Sequence, residues 1–119
     1  MSDTTIYHNP NCSTSRKVLA ILRESGAEPQ VVEYLKTPLT APQLQALLHQ
    51  LAIPARALLR QKGPLYESLG LGAAHWSEEQ LIEHIAAHPE LMERPVVVTA
   101  KGARLCRPVE AVWEILPSA

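Results

Sequence analysis

Three consecutive segments decide the fold of this chain, and the first of them is the stretch Thr4-Thr5-Ile6-Tyr7-His8-Asn9-Pro10-Asn11-Cys12. Its first five residues are rich in β-branched and aromatic side chains, which predicts a strand, and Asn-Pro-Asn predicts a loop. Next, Ser13–Ser25 has an apolar stripe of helical period that ends at Gly26, and Gln30–Leu35 predicts a second strand. Strand, helix and strand in this order predict a parallel βαβ unit with a right-handed crossover.

The middle of the chain is predicted to be helical. Thr40 can cap a helix that carries four leucines on one face, namely Leu44, Leu47, Leu48 and Leu51. Pro54 can open a short helix, and Ser77 with Gln80 matches the capping box of another. We therefore expect a block of helices with no strand between them.

The last part of the chain returns to β structure. Val96–Thr99 predicts a strand, Lys101-Gly102 a turn and Arg104–Cys106 a short returning strand. Pro108 suits the first position of a final helix, whose apolar face would hold Val109, Val112, Trp113 and Leu116.

The order of elements predicts an α/β protein with a thioredoxin-like four-stranded mixed sheet (βαβ…ββα) and a helical insert between the two halves. A chain of 119 residues fits one domain, so we expect a single thioredoxin-like domain over residues 1–119 with the insert at roughly 40–90. A small flavodoxin-like sheet would need more alternating strands than the sequence contains.

Composition narrows the possible partners and compartments. A net charge of -1 gives no reason to expect nucleic acid binding, and no apolar run is long enough for a membrane helix. The N-terminus has no signal-peptide pattern and two cysteines make no disulfide scaffold, so we expect a reducing, cytoplasmic setting. Seven of the eleven basic residues are arginines, whose donor forks suit tetrahedral oxyanions.

Cys12 is the strongest candidate for chemistry. It lies in a loop between a predicted strand and a predicted helix, where a thiol faces unpaired backbone N–H groups and the positive end of the helix dipole. Both favour the thiolate and should lower the pKa of this thiol, and the same N–H groups can bind an anion. Pro10 and Asn11 indicate an exposed turn, which argues against a buried structural cysteine.

The residues after Cys12 exclude two familiar thiol chemistries. Ser15 occupies the place of a resolving cysteine and cannot form a disulfide; its hydroxyl could donate to the Cys12 sulfur or satisfy first-turn backbone donors. Only three residues separate Cys12 from Arg16, too few for a tyrosine-phosphatase loop. If Cys12 attacks an oxyanion, its cations must come from elsewhere, which points to Arg60, Arg94 and Arg107.

Other side chains have weaker signals. His8, four residues before the thiol, could be an imidazolium that stabilises the thiolate or an ordinary packed histidine. Packing is the favoured interpretation of Cys106, although a disulfide with Cys12 is an alternative. His84 and His88 lack further ligands, so no metal site is predicted.

Several segments resemble the glutaredoxin-coupled arsenate reductases across nearly the whole chain. These segments are Tyr7-His8-Asn9-Pro10-Asn11-Cys12-Ser13-Thr14-Ser15-Arg16, Arg56-Ala57-Leu58-Leu59-Arg60, Tyr66-Glu67-Ser68-Leu69-Gly70-Leu71, Arg94-Pro95-Val96-Val97-Val98-Thr99 and Arg104-Leu105-Cys106-Arg107-Pro108. The resemblance implies that Cys12 is the nucleophile and that Ser15 bonds its thiol. It also implies that His8 tunes that thiol.

The resemblance further implies that Arg60, Arg94 and Arg107 bind the oxyanion and that Pro95 is a cis-proline beside the catalytic loop. Asn9 and Arg16, within the Cys12 motif, are expected to shape the site.

The implied activity is the reduction of arsenate to arsenite through a covalent Cys12–arsenate adduct. Glutathione is the implied co-substrate and glutaredoxin the implied partner, with no bound metal or flavin. Two alternatives stay open: a redox-responsive regulatory or adaptor protein of the same fold, and a glutathione-dependent thiol enzyme that acts on another substrate. Ser15 argues against the first, because the related sensors carry a cysteine pair in this loop.

Overall fold

A computed structural model of the chain describes residues 3–117 and contains one four-stranded sheet. The strands are β1 (Thr5–His8), β2 (Gln30–Glu33), β3 (Val96–Thr99) and β4 (Gly102–Leu105), in the order β2-β1-β3-β4. Strands β1 and β2 pair in parallel, whereas β3 runs antiparallel to both β1 and β4. The mixed sheet confirms the predicted fold class, and it makes β1, which leads into the Cys12 loop, a central strand.

Helix α1 (Ser13–Glu24) connects β1 to β2 and packs on the sheet. Its buried residues are Ser15, Val18, Leu19 and Leu22, which lie on one side of the helix. Gly26 ends it with φ 93°, a left-handed conformation that glycine adopts without steric cost, and Ala27 N–H donates to the carbonyl of Leu22. This side of α1 joins β1, β3 and the C-terminal segment in one apolar core, which contains Ile6, Val18, Leu19, Leu22, Val97, Cys106, Val112 and Ile115.

The final helix differs from the prediction. Val109–Ile115 is a 3-10 helix, and Pro108 is its N-cap rather than its first residue. Three residues per turn align positions three apart, so Val112 and Ile115 are buried while Trp113 is 61% exposed. The α-helical period used in the prediction put Trp113 on the apolar face, which was wrong.

The returning strand begins earlier than predicted. Strand β4 pairs from Gly102, opposite Thr99, to Leu105, opposite Val96. Cys106 therefore follows the strand instead of ending it, and its N–H donates to the carbonyl of Pro95 over 2.9 Å. This hydrogen bond brings the start of β3 beside the segment that carries Arg107.

Residues 38–93 form a compact unit of their own, separate from the unit made by residues 3–37 and 94–117. It contains α2 (Ala41–Leu51), α3 (Ala55–Leu58), α4 (Pro64–Ser68), α5 (Glu78–Ala87) and a 3-10 turn, Pro89–Leu91. Thr40 and Ser77 both cap their helices through the predicted capping boxes. Helix α4 was not predicted, although Gly63 followed by Pro64 was a usable start signal.

The four leucines of α2 are buried as predicted. No strand lies in residues 38–93, in agreement with the predicted helical block. That the whole chain is one domain with an insert stays a prediction. Within residues 3–117, no helix has both the length and the apolar character needed to span a bilayer.

Candidate functional site

Asn9 holds the loop between β1 and α1 by accepting two hydrogen bonds. Its side-chain Oδ1 accepts from the N–H of Asn11 over 2.9 Å, and its carbonyl accepts from the N–H of Cys12 over 3.0 Å. Arg16 adds a third restraint, since its Nη1 donates to the carbonyl of Pro10 over 2.8 Å. These hydrogen bonds restrain the loop that carries the thiol, and Asn9 and Arg16 shape it.

Cys12 is the N-cap of α1. Its backbone is extended, with φ -101° and ψ 121°. Its side chain is partly exposed and makes no capping hydrogen bond of the usual geometry. The N–H groups of Thr14 and Ser15 instead face the sulfur from the first turn of the helix. The sequence indicated these donors only by position, because any residue in the first turn presents its N–H there.

Two of the three predicted arginines lie at the sulfur. Arg107 Nη1 is 3.9 Å from Cys12 Sγ, and the same nitrogen donates to the carbonyl of Arg94 over 3.1 Å. The Arg94 guanidinium also donates toward the sulfur. Its Nε is buried and has no hydrogen-bond partner among the described residues. A buried guanidinium N–H without an acceptor is costly, and a bound oxyanion would supply the acceptor.

The surroundings of Cys12 favour its thiolate. Partial burial acts to raise the pKa of the Cys12 thiol. The N–H groups of Ser15 and Thr14 and the charge of Arg94 outweigh that effect, so the pKa lies below its ordinary value. This is the direction that the position of Cys12 predicted.

His8 and Ser15 form a buried pair beneath the loop. His8 Nδ1 lies 2.6 Å from Ser15 Oγ, and Ser15 Oγ also accepts from the N–H of Asn9 over 3.1 Å. The hydroxyl of Ser15 therefore bonds His8 and Asn9 in the described structure, and not the Cys12 sulfur that the resemblance implied. The part of Ser15 that faces the sulfur is its backbone N–H.

Of the two interpretations left open for His8, the structure favours the packed histidine over the imidazolium. Burial lowers the pKa of His8; Glu33 opposes this, whereas Arg23 and Arg16 add to it. The imidazole is therefore neutral near pH 7 rather than an imidazolium. His8 contacts Ser15 through the side-chain hydroxyl, and the backbone N–H of Ser15 faces the sulfur.

The remaining predicted residues take varied positions. The Arg94–Pro95 peptide bond is cis, as is Arg107–Pro108. Pro95 is buried and accepts the hydrogen bond from Cys106 N–H. Arg60 belongs to residues 38–93, where its Nη1 lies 3.9 Å from a carboxylate oxygen of Glu93. A place for Arg60 beside the thiol stays a prediction.

Cys106 packs in the core, in agreement with the favoured interpretation of the sequence. Its side chain is fully buried, and burial raises the pKa of this thiol to about 12. At neutral pH it is therefore a protonated, inert thiol, in contrast to Cys12. Across residues 3–117, no group of three or more His, Cys, Asp or Glu residues is arranged to hold a metal ion.

The arrangement suits nucleophilic attack on an oxyanion. It provides a thiol with a lowered pKa, a helix N-terminus and two guanidiniums within a single compact unit. The cations offset the repulsion between a thiolate and an anion, and they stabilise the charge that develops as a sulfur bond forms.

Comparisons with known proteins agree with this geometry. The ArsC family model matches residues 7–115. Arsenate reductase of Escherichia coli strain K12 is 50% identical over all of this chain and 84% of its own length. A second protein of that strain, the uncharacterised YfgD, is 51% identical over 93% of this chain and 94% of its own length. The solved arsenate reductase of Vibrio cholerae is 45% identical, with a TM-score of 0.92 over 97% of this chain and 98% of its own.

Proposed function

This chain belongs to the ArsC family, and from that premise we propose that it reduces arsenate to arsenite with Cys12 as the nucleophile. The observation that supports this most directly is the Cys12 thiol itself. Its pKa is lowered at a helix N-terminus, and the Arg94 and Arg107 guanidiniums adjoin it. The activity named for the relatives needs a thiolate and a cationic oxyanion site together.

Arsenate binds where the donors beside Cys12 converge. The buried Nε of Arg94 has no acceptor within residues 3–117, and the N–H groups of Thr14 and Ser15 face the Cys12 sulfur. Arg107 reaches this point while it also bonds the Arg94 carbonyl, which fixes its direction. That Arg60 supplies a third cation is implied only by the resemblance in sequence.

The first chemical step makes a sulfur–arsenic bond. The Cys12 thiolate attacks the arsenic of dihydrogen arsenate. One arsenate hydroxyl takes the proton of the other and leaves as water, so arsenic stays in the +5 state. In the second step a glutathione thiolate attacks Sγ of Cys12. A sulfur–sulfur bond forms, the sulfur–arsenic bond breaks, and its electron pair stays on arsenic, which leaves as arsenite in the +3 state.

The mixed disulfide left on Cys12 must then be cleared by an outside thiol. Ser15 occupies the place where an internal thiol could act, and Cys106 is buried and protonated. We therefore assign glutathione as co-substrate and glutaredoxin as the protein that restores the Cys12 thiol. This cycle needs no bound metal or flavin, and it requires a reducing compartment, which the cytoplasm provides.

A coupled assay tests the proposal. Purified protein is mixed with arsenate, glutathione, glutaredoxin, glutathione reductase and NADPH, and the arsenate-dependent loss of NADPH absorbance is followed. Turnover is expected in the wild type and in Cys106→Ser, and none is expected in Cys12→Ser. Cys106→Ser is the matched control, because it also replaces one of the two thiols.

Absence of arsenate turnover in the wild type would overturn the proposal and favour the two alternatives. If the protein is a thiol enzyme for another substrate, Cys12 would still be alkylated, and added small oxyanions would slow that alkylation. A regulatory protein of this fold would instead respond to oxidation of Cys12 without consuming an oxyanion.

A further inference from the structure

A groove of about 480 Å³ runs along one face of α1, next to the Cys12 loop. It is lined by His8 and Pro10 before the thiol and by Arg16, Leu19, Ala20 and Arg23 after it. The four helical residues stand at i, i+3, i+4 and i+7, so they lie on the same face of α1. A volume of this size is in the range of small-molecule sites.

The charges of the groove are arranged at its two ends. Arg16 and Arg23 are both exposed and seven residues apart, which puts their Cα atoms about 10 Å apart along a helix axis. Glu24, also in the lining, adds one carboxylate beside Arg23. None of these three side chains belongs to an ion pair with another described residue, and Arg16 uses only Nη1 to bond Pro10. Guanidinium donors therefore remain available at both ends.

We propose that this groove binds glutathione for the second chemical step; the proposal rests on the function assigned above. Glutathione carries a carboxylate at each end and one ammonium group, and a chain of three residues spans about 10 Å. Its two carboxylates pair with Arg16 and Arg23, and its ammonium pairs with Glu24. Leu19 and Ala20 form the apolar floor between these charges.

The direction of attack supports the same position. Displacement at a sulfur atom needs the incoming thiolate opposite the bond that breaks. The arsenic is held on the side of Arg94 and Arg107, and neither of these residues lines the groove. Pro10 and Arg16, which do line the groove, flank Cys12 in the loop and the first turn of α1. The proposal therefore places the incoming thiol on the groove side of the Cys12 loop.

The test uses a reaction that needs no arsenate. Oxidised glutathione reacts with the Cys12 thiolate, giving the Cys12–glutathione disulfide and releasing one glutathione thiolate. Bis(2-hydroxyethyl) disulfide undergoes the same exchange but has no charge for the groove to bind. Both rates are measured by mass spectrometry of the wild type, Arg23→Glu and the matched control Lys17→Glu, which makes the same charge change at an exposed α1 position outside the groove.

We expect Arg23→Glu to slow the reaction with oxidised glutathione about fivefold or more, because it turns one ion pair into a repulsion. Its rate with the uncharged disulfide should not change, which shows that the thiolate itself is unaffected. Lys17→Glu should leave the ratio of the two rates as in the wild type. Equal slowing with both disulfides, no slowing, or the same effect from Lys17→Glu would each overturn the proposal.

The coupled assay gives a second readout. Arg23→Glu should raise the KM for glutathione and leave the KM for arsenate unchanged, whereas a defect in the oxyanion site would raise the arsenate KM. If the wild type fails to reduce arsenate, the proposed function fails, yet the disulfide-exchange result still decides whether the groove recognises glutathione.

Discussion

Arg107 Nη1 lies 3.9 Å from the sulfur of Cys12, although 95 positions separate these residues in the chain. Two backbone groups hold this contact. The carbonyl of Arg94 accepts from Arg107 Nη1, and the carbonyl of Pro95 accepts from the N–H of Cys106. The cation is therefore directed toward the thiol by the paired ends of β3 and β4.

Removal of either guanidinium should impair arsenate use much more than folding. We expect Arg94→Ala and Arg107→Ala each to lower kcat/KM for arsenate about 100-fold or more, the usual effect of deleting a donor to a developing charge. Arg107 is exposed, so its loss should change the free energy of unfolding by no more than about 0.5 kcal/mol. Kinetics and urea titration measure the two quantities. Lys101→Ala serves as the surface control, and parallel losses of activity and stability would show that the arginines are structural.

The two cysteines should differ sharply in alkylation. Because the thiolate is the reactive form, Cys12 should react with iodoacetamide at neutral pH. The pH at which its alkylation rate is half-maximal should lie below the ordinary thiol pKa of 9.0. Burial raises the pKa of Cys106 to about 12, so it should stay unmodified in the folded protein. Peptide mass spectrometry across a pH series gives both rates. Similar rates at pH 7 would remove the argument for an activated Cys12.

Ser15→Ala should destabilise the protein through the loop. The hydroxyl accepts from the N–H of Asn9 and pairs with His8 Nδ1, and no other partner for either group is shown within residues 3–117. Both residues are buried. Leaving them unpaired should cost about 1–3 kcal/mol of unfolding free energy, measured by urea titration. Ser13→Ala, at an exposed position of the same helix, should cost much less. A loss no greater than that of the control would be inconsistent with this role for Ser15.

His8 should make the protein less stable in acid. Its folded pKa is lowered by burial, so below the unfolded value of 6.5 the unfolded chain binds more protons than the native one. Stability due to a neutral His8 is thus complete above pH 6.5 and declines as the pH falls through that value. His8→Asn should therefore lose less unfolding free energy than the wild type between pH 7 and pH 5. The exposed His49→Asn should follow the wild-type curve; a His8→Asn curve parallel to it would contradict the lowered pKa.

Ala52 offers a stability test in the other unit. It ends α2 with φ 56°, a left-handed conformation that costs a residue with a Cβ about 1 kcal/mol. Ala52→Gly should therefore raise the melting temperature, with a gain of up to about 1 kcal/mol. Ala46→Gly, at an exposed position inside α2, should lower stability by a similar amount. A loss of stability in both variants would refute the conformational argument.

Local signals in the sequence predicted much of the fold. The capping pairs at Thr40 and Ser77 and the turn glycine at Gly26 act on neighbouring residues, so each could be recognised without the tertiary structure. The final helix could not, because Val109–Ile115 fits both a 3-10 and an α-helical apolar pattern over one or two turns. Only packing on the sheet decides which period is used, and it left Trp113 in solvent.

The candidate site was predicted only where its features depend on neighbouring residues in the chain. The position of Cys12 before a helix is local information, and it predicted the direction of its pKa shift correctly. The partners of Ser15 and the charge state of His8 depend on how deeply β1 and α1 are buried against each other, which a linear pattern does not report. Their places at predicted strand–loop junctions made Arg94 and Arg107 candidates, but only the family resemblance assigned them to the oxyanion, because nothing local connects them with residue 12.

At the start of α1, reactivity and stability compete for a single side chain. Helices favour serine, aspartate or asparagine at the N-cap, and this one has a cysteine that closes no such bond. Any replacement that caps α1 better removes the nucleophile, so thermostabilising selection for folding alone should repeatedly converge on inactive variants at position 12.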